Sequence, residues 1–365
     1  LGVNFSGVTD IFSTQGASIA FNKDLGQAVC WGHPPYGGDC SGVDFSGVTD
    51  IFSNAYAFVA LKKDLGQAFC LGGHNDRSYG GNCSSVDFSG VTDIYSSSGA
   101  FVALKKGLGQ GVCWGGLNYG GNCSDVDFHG VTDIFSTSAA FLALKDLGQS
   151  VCWGYLDAGG DCSGVNISGA TNVFSNDDAF VALKGSGQAV CWGHQEHGGN
   201  CSDVDFSGVT DIYNNDYAFV AWKKDLDQGV CWGEHNFGGN CSGVDFGGVT
   251  DIFSNGQASV AFKKDLGHVV CWGDASHGGN CSDVDLQGAT KIFSNDFAFA
   301  ALKEDLGQVV CWGTPESGGN CSEVDLHSVL DQHTALSGST MSHFYTGVWT
   351  LFAMALAVSS VWCCM

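Results

Sequence analysis

The sequence predicts an all-β protein, a closed β-propeller built from eight units of about 40 residues. Three observations predict it: a Cys-Trp-Gly landmark that returns at regular steps, short runs of β-branched and aromatic residues in each unit, and separators rich in Gly, Ser, Asn and Asp. One such unit cannot bury both faces of its sheet. Copies that stack radially bury those faces against one another, and closing the ring leaves few exposed edges.

The landmark cysteine defines eight repeats, numbered 1 to 8 in chain order. Its positions are Cys30, Cys70, Cys113, Cys152, Cys191, Cys231, Cys271 and Cys311. The steps are 39 to 43 residues long, and the longest one is lengthened between Cys70 and Cys83. Length changes belong in exposed loops because a strand cannot absorb them without a register slip. Eight repeats predict eight blades, or seven blades and one extra unit.

Residues 43–84 show how a repeat divides into strands. Four runs, VDF, VTDIF, AFVALK and QAFCLG, are dominated by apolar, β-branched and aromatic residues. Ser46-Gly47 predicts a tight hairpin between the first two runs, and Lys63-Asp64-Leu65-Gly66 predicts the turn between the last two. We therefore expect four antiparallel strands in each repeat.

The pattern F-V-A-L-K…G-Q…V-C-W-G…G-G resembles the regulator-of-chromosome-condensation repeat and the repeat of the bacterial β-lactamase inhibitor protein of the second type, over about residues 1–325. The resemblance implies a β-propeller, usually of seven blades. Activities known in these families are nucleotide exchange on a small GTPase, chromatin docking and β-lactamase inhibition. They reside in loops that differ between members, so no residue role is carried over. This chain has Gly-Gly-Asn-Cys where the chromosomal repeat tends to have Gly-Gln-Leu-Gly.

A tryptophan follows the landmark cysteine in every repeat but the second. These residues are Trp31, Trp114, Trp153, Trp192, Trp232, Trp272 and Trp312, with Leu71 in the remaining repeat. We expect them to form the core between blades, because leucine replaces a packing residue more easily than a stacking platform. A ring of sugar-stacking tryptophans is the alternative.

Each repeat holds two cysteines, which predicts disulfides within the repeats. The pairs are Cys30/Cys40, Cys70/Cys83, Cys113/Cys123, Cys152/Cys162, Cys191/Cys201, Cys231/Cys241, Cys271/Cys281 and Cys311/Cys321. The lengthened loop between Cys70 and Cys83 keeps both partners, which indicates that the two sulfurs meet. Buried free thiols, metal binding and pairing between repeats are the alternatives, although two thiols do not complete a zinc site and the C-x₂-C knuckle is absent. Disulfides place the protein in an oxidising compartment.

Charge and motifs exclude several functions. The chain has 38 acidic and 14 basic residues and a net charge of −24, so it would be repelled by nucleic acid. No nucleophile elbow, P-loop or dinucleotide fingerprint occurs, and we expect no catalysis and no cofactor. The repeated acidic column that ends the Thr-Asp pairs contains Lys291, which argues against a ring of metal ions.

Three segments divide the chain: a propeller domain at 1–326, a polar linker at 327–346 and an apolar tail at 347–365. The 19 tail residues carry no charge and are long enough to span a bilayer. Small residues and a short spacer precede them, as in a glycolipid-anchor signal. A transmembrane helix, a packed segment and a gene-model artefact are the alternatives. The chain opens at Leu1 without a methionine, so we expect the true N-terminus to be missing.

Eight Asn-x-Ser sequons permit glycosylation without demonstrating it. They lie at Asn4, Asn82, Asn122, Asn166, Asn200, Asn240, Asn280 and Asn320. Six of them have cysteine in the middle and are copied with the repeat.

Together these features predict a non-catalytic protein-interaction platform outside the cytosol, attached to the membrane if the tail anchors it. Its partner is expected to be a protein, or a glycan if the chain is a multivalent lectin. An inhibitor of a secreted enzyme is a further alternative, and an intracellular exchange factor or chromatin protein is the weakest. The windows after Trp-Gly vary while the rest of the repeat is copied, so we expect them to hold the binding residues. The candidates are Tyr36, His74, Tyr119, Tyr155, His194 and Phe237.

Overall fold

The computed structural model describes residues 7–74 and 78–322, and the chain forms two compact parts, residues 1–195 and 196–365. Each repeat contributes one three-stranded antiparallel sheet with strands in chain order, which confirms the all-β prediction. Each of the eight repeats therefore forms a sheet of its own, as the predicted blades require. The closed ring stays a prediction.

Five sheets belong to the N-terminal part. Their strands are β1 (Asp10–Ser13), β2 (Ala17–Asn22), β3 (Gln27–Gly32), β4 (Asp50–Ser53), β5 (Ala57–Lys62), β6 (Gln67–Gly72), β7 (Asp93–Ser96), β8 (Ala100–Lys105), β9 (Gln110–Gly115), β10 (Val131–Ser136), β11 (Ala140–Lys145), β12 (Ser150–Gly154), β13 (Ala170–Ser175), β14 (Ala179–Lys184) and β15 (Gln188–Gly193).

Three sheets belong to the C-terminal part. Their strands are β16 (Asp211–Asn214), β17 (Ala218–Lys223), β18 (Gln228–Gly233), β19 (Asp251–Ser254), β20 (Ala258–Lys263), β21 (His268–Gly273), β22 (Lys291–Ser294), β23 (Ala298–Lys303) and β24 (Gln308–Gly313).

Short 3₁₀ helices occupy two kinds of connection. Those in the windows after Trp-Gly are Pro34–Tyr36, Leu117–Tyr119, Leu156–Ala158, Gln195–His197, His235–Phe237, Ala275–His277 and Pro315–Ser317. Those in the turns after the middle strands are Lys63–Leu65, Lys106–Leu108, Asp146–Gly148, Lys224–Leu226, Lys264–Leu266 and Glu304–Leu306.

The predicted fourth strand is wrong. The VDF run at residues 43–45 lies in no strand, and the same segment of each later described repeat is likewise built from turns. The N–H of Val43 donates to the carbonyl of Cys40, and the N–H of Val48 donates to the carbonyl of Phe45. Asp44 Oδ1 accepts the N–H of Ser46 at 2.9 Å, which closes an Asx turn. The apolar side chains of VDF still point inward, since Phe45 is buried, but turns at both ends replace strand pairing.

The middle strands are the most buried, because each pairs on both edges and packs on both faces. In β5, for example, Ala60 lies opposite Ile51 of β4, and Val59 lies opposite Cys70 of β6. Residues 57–61 are all at most 1% exposed. A continuous apolar run such as AFVAL fits a strand covered on both faces.

The core lies between consecutive repeats, as predicted. In the N-terminal part, Val59 and Leu61 of repeat 2 pack with Phe101 and Trp114 of repeat 3. The corresponding cluster in the C-terminal part joins Val260 and other residues of repeat 7 to residues of repeat 8, including Trp312. Within each part, consecutive sheets therefore stabilise one another.

The tryptophans belong to this core and not to a sugar platform. In repeats 3 to 8 they are buried, and each indole N–H donates to the carbonyl of a glycine in the preceding repeat's window. In repeat 3, for example, Trp114 Nε1 lies 3.2 Å from the oxygen of Gly80. The other five donors and acceptors are Trp153 with Gly120, Trp192 with Gly159, Trp232 with Gly198, Trp272 with Gly238, and Trp312 with Gly278.

Disulfide bonds are present, as the cysteine spacing predicted. The bonds join Cys30–Cys40, Cys70–Cys83, Cys113–Cys123, Cys152–Cys162, Cys231–Cys241, Cys271–Cys281 and Cys311–Cys321. Cys191 and Cys201 are also disulfide-bonded. Each of the seven bonds ties the third strand of a repeat to the segment that follows its window.

Several predictions fall outside the described residues. These are the linker at 327–346, the tail at 347–365, the sequon at Asn4 and the basic residue Arg77. Within 7–74 and 78–322, no helix is both long and apolar enough to cross a membrane.

Candidate binding surface

In each repeat the turn after the first strand meets the window after Trp-Gly at one end of the sheet, here called the window end. Asn54 makes both connections in repeat 2: its Oδ1 accepts the N–H of Ala57 at 2.7 Å, and its Nδ2 donates to the carbonyl of Tyr79 at 3.0 Å. Thr14 and Ser97 serve the same purpose in repeats 1 and 3, where their hydroxyls donate to the carbonyls of Tyr36 and Tyr119. Each window is thus held on its own sheet.

The window glycines fix each window against the next repeat. Gly37 has φ +96°, and a Cβ built on it would lie 2.6 Å from the ring of Phe58. Gly120 has φ +88° and stands in the same relation to Phe141. Only glycine combines this left-handed backbone with so close an approach, so this part of each window is copied while its first residues vary.

Four tyrosines and a histidine of the N-terminal part come together at the window end. We call Tyr36, Tyr56, Tyr79, Tyr119 and His74 the tyrosine cluster. The ring centroids of Tyr36 and Tyr56 lie 5.7 Å apart, those of Tyr56 and Tyr79 4.6 Å apart, and both pairs are inclined by about 30°. Tyr79 meets Tyr119 edge-on at 5.6 Å. His74 lies edge-on to the first three tyrosines, 5.9 to 6.3 Å from their centroids.

A glycine makes room for the last of these contacts. Gly99 of repeat 3 occupies the position that Tyr56 has in repeat 2. A Cβ on Gly99 would lie 2.7 Å from the ring of Tyr119 and 3.0 Å from that of Tyr79. The missing side chain therefore lets the tyrosines of repeats 2 and 3 approach each other.

The cluster contains three of the six candidate residues and two that the sequence analysis missed. Tyr36, His74 and Tyr119 were candidates, while Tyr56 and Tyr79 were not. Tyr79 directly precedes the two glycines of its window, as Tyr36 and Tyr119 do in theirs. The extra residues in the loop of repeat 2 shift Tyr79 along the sequence, so this equivalence is not evident from the spacing. Tyr56 lies in the other connection, the turn between β4 and β5, outside the windows in which binding residues were expected.

The remaining three candidates lie apart from the cluster. Tyr155, in repeat 4, is 50% exposed and begins its window. His194 follows β15, and its N–H donates to the carbonyl of Asp178 at 2.8 Å. Phe237 belongs to the C-terminal part, where its ring packs on Tyr217 at 5.0 Å. Their role in binding stays a prediction.

The tyrosine cluster is partly exposed. Burial raises the pKa of Tyr56, and the neighbouring tyrosines Tyr119, Tyr36 and Tyr79 add to the rise. Its hydroxyl therefore stays protonated at neutral pH and can both donate and accept a hydrogen bond.

Acidic residues are unevenly distributed over the window end. In repeats 1 to 3 the described window and first-turn segments, 14–16, 33–38, 54–56, 73–74, 78–81, 97–99 and 116–121, contain no Asp or Glu. Asp76 and Arg77 of the second window lie outside the described residues. The corresponding connections of later repeats contain Asp157, Asp177, Asp178, Glu196, Asp216, Glu234, Asp274, Asp296 and Glu316. Among the described residues, the connections around the tyrosine cluster therefore carry no acidic side chain, in contrast to those of the later repeats.

The opposite end of the sheets, the turn end, carries an ion pair that recurs in six of the repeats. The lysine that closes the middle strand points back to an aspartate 18 residues earlier. The pairs are Lys62–Asp44, Lys105–Asp87, Lys145–Asp127, Lys223–Asp205, Lys263–Asp245 and Lys303–Asp285, with N–O distances of 2.6 to 3.4 Å. The lysines are nearly buried and the carboxylates are exposed.

These pairs predict that the protein loses stability in acid. The pKa values of Asp87, Asp127 and Asp205 are held well below the ordinary 3.8. The largest cause in each case is the hydrogen bond from the paired lysine, which is Lys105, Lys145 or Lys223. A carboxyl whose pKa is lowered by folding stabilises the protein above its unfolded pKa, and that contribution is lost as the pH falls through the folded pKa. We therefore expect the urea midpoint to decrease as the pH falls below about 4. Changing all three aspartates to Asn should make this decrease smaller, and an equal decrease in both proteins would contradict the assignment.

The described residues contain no group of three or more His, Cys, Asp or Glu side chains arranged to hold a metal ion. The geometry of the window end instead offers aromatic edges, hydroxyl groups and backbone, which are the elements of a macromolecular contact surface.

No family model and no curated protein matches the chain. Among solved structures it is similar to the ectodomain of the receptor kinase CR4 from Physcomitrella patens, at 18% identity and a TM-score of 0.43, covering 72% of this chain and 71% of that one. It is also similar to the CRINKLY WD40 ectodomain of the receptor kinase ACR4 from Arabidopsis thaliana, at 14% identity and a TM-score of 0.41, covering 72% and 93%. Prp20p from Saccharomyces cerevisiae matches at 12% identity and a TM-score of 0.40, covering 90% and 86%.

Proposed function

We propose that this chain is a non-catalytic interaction module that works outside the cytosol, with its sheets arranged as an eight-bladed propeller, and that it holds a protein partner at the window end. The tyrosine cluster is the observation that carries the proposal. It gathers five aromatic side chains from three consecutive repeats into one partly exposed region, whose described connections contain no acidic residue.

Tyrosine-rich surfaces suit protein binding for a physical reason. A tyrosine ring offers a large apolar area at a low cost in side-chain entropy, and its hydroxyl supplies a hydrogen bond at the edge. Such residues dominate the binding free energy of many interfaces. Leu117, which is 73% exposed and lies in the same window as Tyr119, extends the apolar area.

The arrangement of the rings supports a protein partner over a sugar. Sugars stack on free aromatic faces, but the ring of Tyr56 already packs against the rings of Tyr36 and Tyr79, with centroids 5.7 and 4.6 Å away. A protein surface can use the exposed ring edges and hydroxyls together with the varied backbone of the windows.

The disulfides support a location outside the cytosol, where such bonds form and persist. Attachment to the cell surface through the tail at 347–365 belongs to the same proposal.

A photo-crosslinking phenylalanine analogue placed at one end of the sheets or the other tests which end binds. In the place of Tyr36 it should form a covalent adduct with an extracellular partner on the producing cells. In the place of Leu108, which is 60% exposed at the turn end of repeat 3, it should not. Equal crosslinking at both positions, or crosslinking only at Leu108, would place the binding surface elsewhere.

The energetic part of the test uses the partner identified by the crosslink. Changing Tyr36, Tyr79 and Tyr119 to Ser together should weaken its binding by about 30-fold or more, as expected for the loss of a hot spot of about 2 kcal/mol. The matched control changes Leu108, which is exposed at the turn end of repeat 3, to Ser, and it should leave the affinity nearly unchanged. A thermal midpoint for each variant separates lost contact from lost fold.

A further inference from the structure

Repeat 5 departs from repeats 2 to 4 and 6 to 8 at the turn end, and the departures lie close together; repeat 1 also has an asparagine at the aspartate position, Asn4, which lies outside the described residues. Asn166 replaces the aspartate of the repeated ion pair, opposite Lys184. Asn172 replaces the acid of the Thr-Asp column. Residues 185–187, Gly-Ser-Gly, replace the turn that carries Lys, Asp and an exposed Leu in most other repeats.

These substitutions leave the turn end of repeat 5 small and almost uncharged. Elsewhere each lysine of the column lies within 3.4 Å of a carboxylate oxygen, but the residue opposite Lys184 is a neutral amide. The N–H of Gly185 donates to the carbonyl of Gly169 at 3.2 Å, which brings the shortened turn down beside the Asn166 segment. Lys184 is the only charged residue among 166–172 and 184–188.

The replacement that removes the ion pair also creates the sequon Asn166-Ile167-Ser168. The side chain of Asn166 is exposed, while Ile167 is 2% exposed and anchors the segment in the core. Asn166 Oδ1 accepts the N–H of Ser168 at 3.0 Å, so this contact occupies the amide oxygen and not the amide nitrogen to which a sugar would be joined. Exposure and a surface turn are what an acceptor asparagine requires.

The six Asn-Cys-Ser sequons differ from this one in their middle residue. Each of those cysteines is disulfide-bonded, as at Cys123, whose partner Cys113 leaves the ribosome only ten residues earlier. A short loop of this kind closes readily and would withdraw the sequon from an enzyme. No such bond competes at Ile167.

We propose that Asn166 carries an N-linked glycan. In that reaction its amide nitrogen bonds to the anomeric carbon of an oligosaccharide, the bond from that carbon to a lipid pyrophosphate breaks, and the amide proton passes to a base of the transferase. The proposal rests on the extracytoplasmic location proposed above. The small turn at 185–187 gives the first sugars room, and the turn end is opposite the window end, so the glycan leaves the tyrosine cluster of repeats 1 to 3 accessible.

The test is site-resolved glycan mapping of the full chain from a eukaryotic secretory line. Enzymatic release in heavy-oxygen water should convert Asn166 to labelled aspartate in most molecules, and the six Asn-Cys-Ser sites in few. Asn166→Gln and Ser168→Ala should each abolish the label at this site, whereas Asn172→Gln, which touches no sequon, should preserve it. The matched variant Asp205→Asn creates Asn-Phe-Ser beside the full Lys-Asp-Leu turn of repeat 6, and it should be occupied less than Asn166.

Disulfide mapping of the same sample separates this proposal from the proposed function. Formed disulfides with an unmodified Asn166 would overturn the glycan and leave the extracytoplasmic module intact. Free thiols throughout would overturn both. Higher occupancy at the Asn-Cys-Ser sites than at Asn166 would also contradict the proposal, because the ranking of the sequons follows from the structure.

Discussion

Reduction of the disulfides is expected to unfold the protein at room temperature. Each bond closes a loop of about ten residues, which stabilises the folded state by about 3 kcal/mol in the chain-entropy model. The loops follow one another along the chain without overlapping, so their contributions add. Their sum exceeds the 5–15 kcal/mol by which folded proteins of this kind are usually stable.

The measurement is near-ultraviolet circular dichroism, which reports the packed tryptophans, during titration with a strong reductant. A single-pair variant, Cys113→Ala with Cys123→Ala, is the graded control and should lose about 3 kcal/mol while staying folded. A reduced protein that keeps its near-ultraviolet spectrum would show that packing between repeats is sufficient. In that case the cysteines would owe their repetition to something other than stability.

The sequence predicts most of the fold because the repeat supplies eight copies of each signal. A run such as AFVALK in every repeat identifies the middle strand, and its burial follows from apolar residues at consecutive positions. The prediction of a fourth strand is wrong for a local reason. VDF has the alternation of a strand, but the Asp44 side chain captures the N–H of Ser46, and turn formation competes with pairing.

The binding surface could be predicted only in part, because it depends on contacts between repeats. Sequence variation between the repeats identified the windows as the expected place of the binding residues, and Tyr36 and Tyr119 lie in those windows. It did not find Tyr56, since this residue reaches the cluster from the turn after a first strand and the contact spans two repeats. The gap left by Gly99 is equally invisible in a sequence, where a glycine in a turn has many explanations.

A repeat that departs from the common pattern is also informative. The ion pair at the turn end is recognisable because six repeats keep both partners 18 residues apart. Against that background Asn166 is conspicuous, although Asn-Ile-Ser alone is a common tripeptide. The described residues around Asn166 and around the tyrosine cluster both lack acidic side chains, which is a departure from a copied acidic unit, and they lie at opposite ends of the sheets.

Truncating one core phenylalanine, Phe180→Ala, is expected to cost about 3–5 kcal/mol. The ring of Phe180 is fully buried and stacks on Trp192 at 5.1 Å. It also lies beneath the window of repeat 4, because a Cβ on Gly159 would approach it to 2.7 Å. Its loss therefore leaves a cavity between repeats 4 and 5 that the disulfide-bound segments cannot readily close.

Urea denaturation of Phe180→Ala beside Tyr155→Ala measures this cost. Tyr155 lies in the window of repeat 4 that covers Phe180, but it is half exposed. Its truncation should therefore change the free energy of unfolding by no more than about 0.5 kcal/mol. A similar small change for Phe180→Ala would mean that the space between the sheets collapses around the missing ring. Stability would then come chiefly from the disulfides within each repeat. A large loss instead shows that each repeat depends on the next, which is why copies of this unit occur together in one chain.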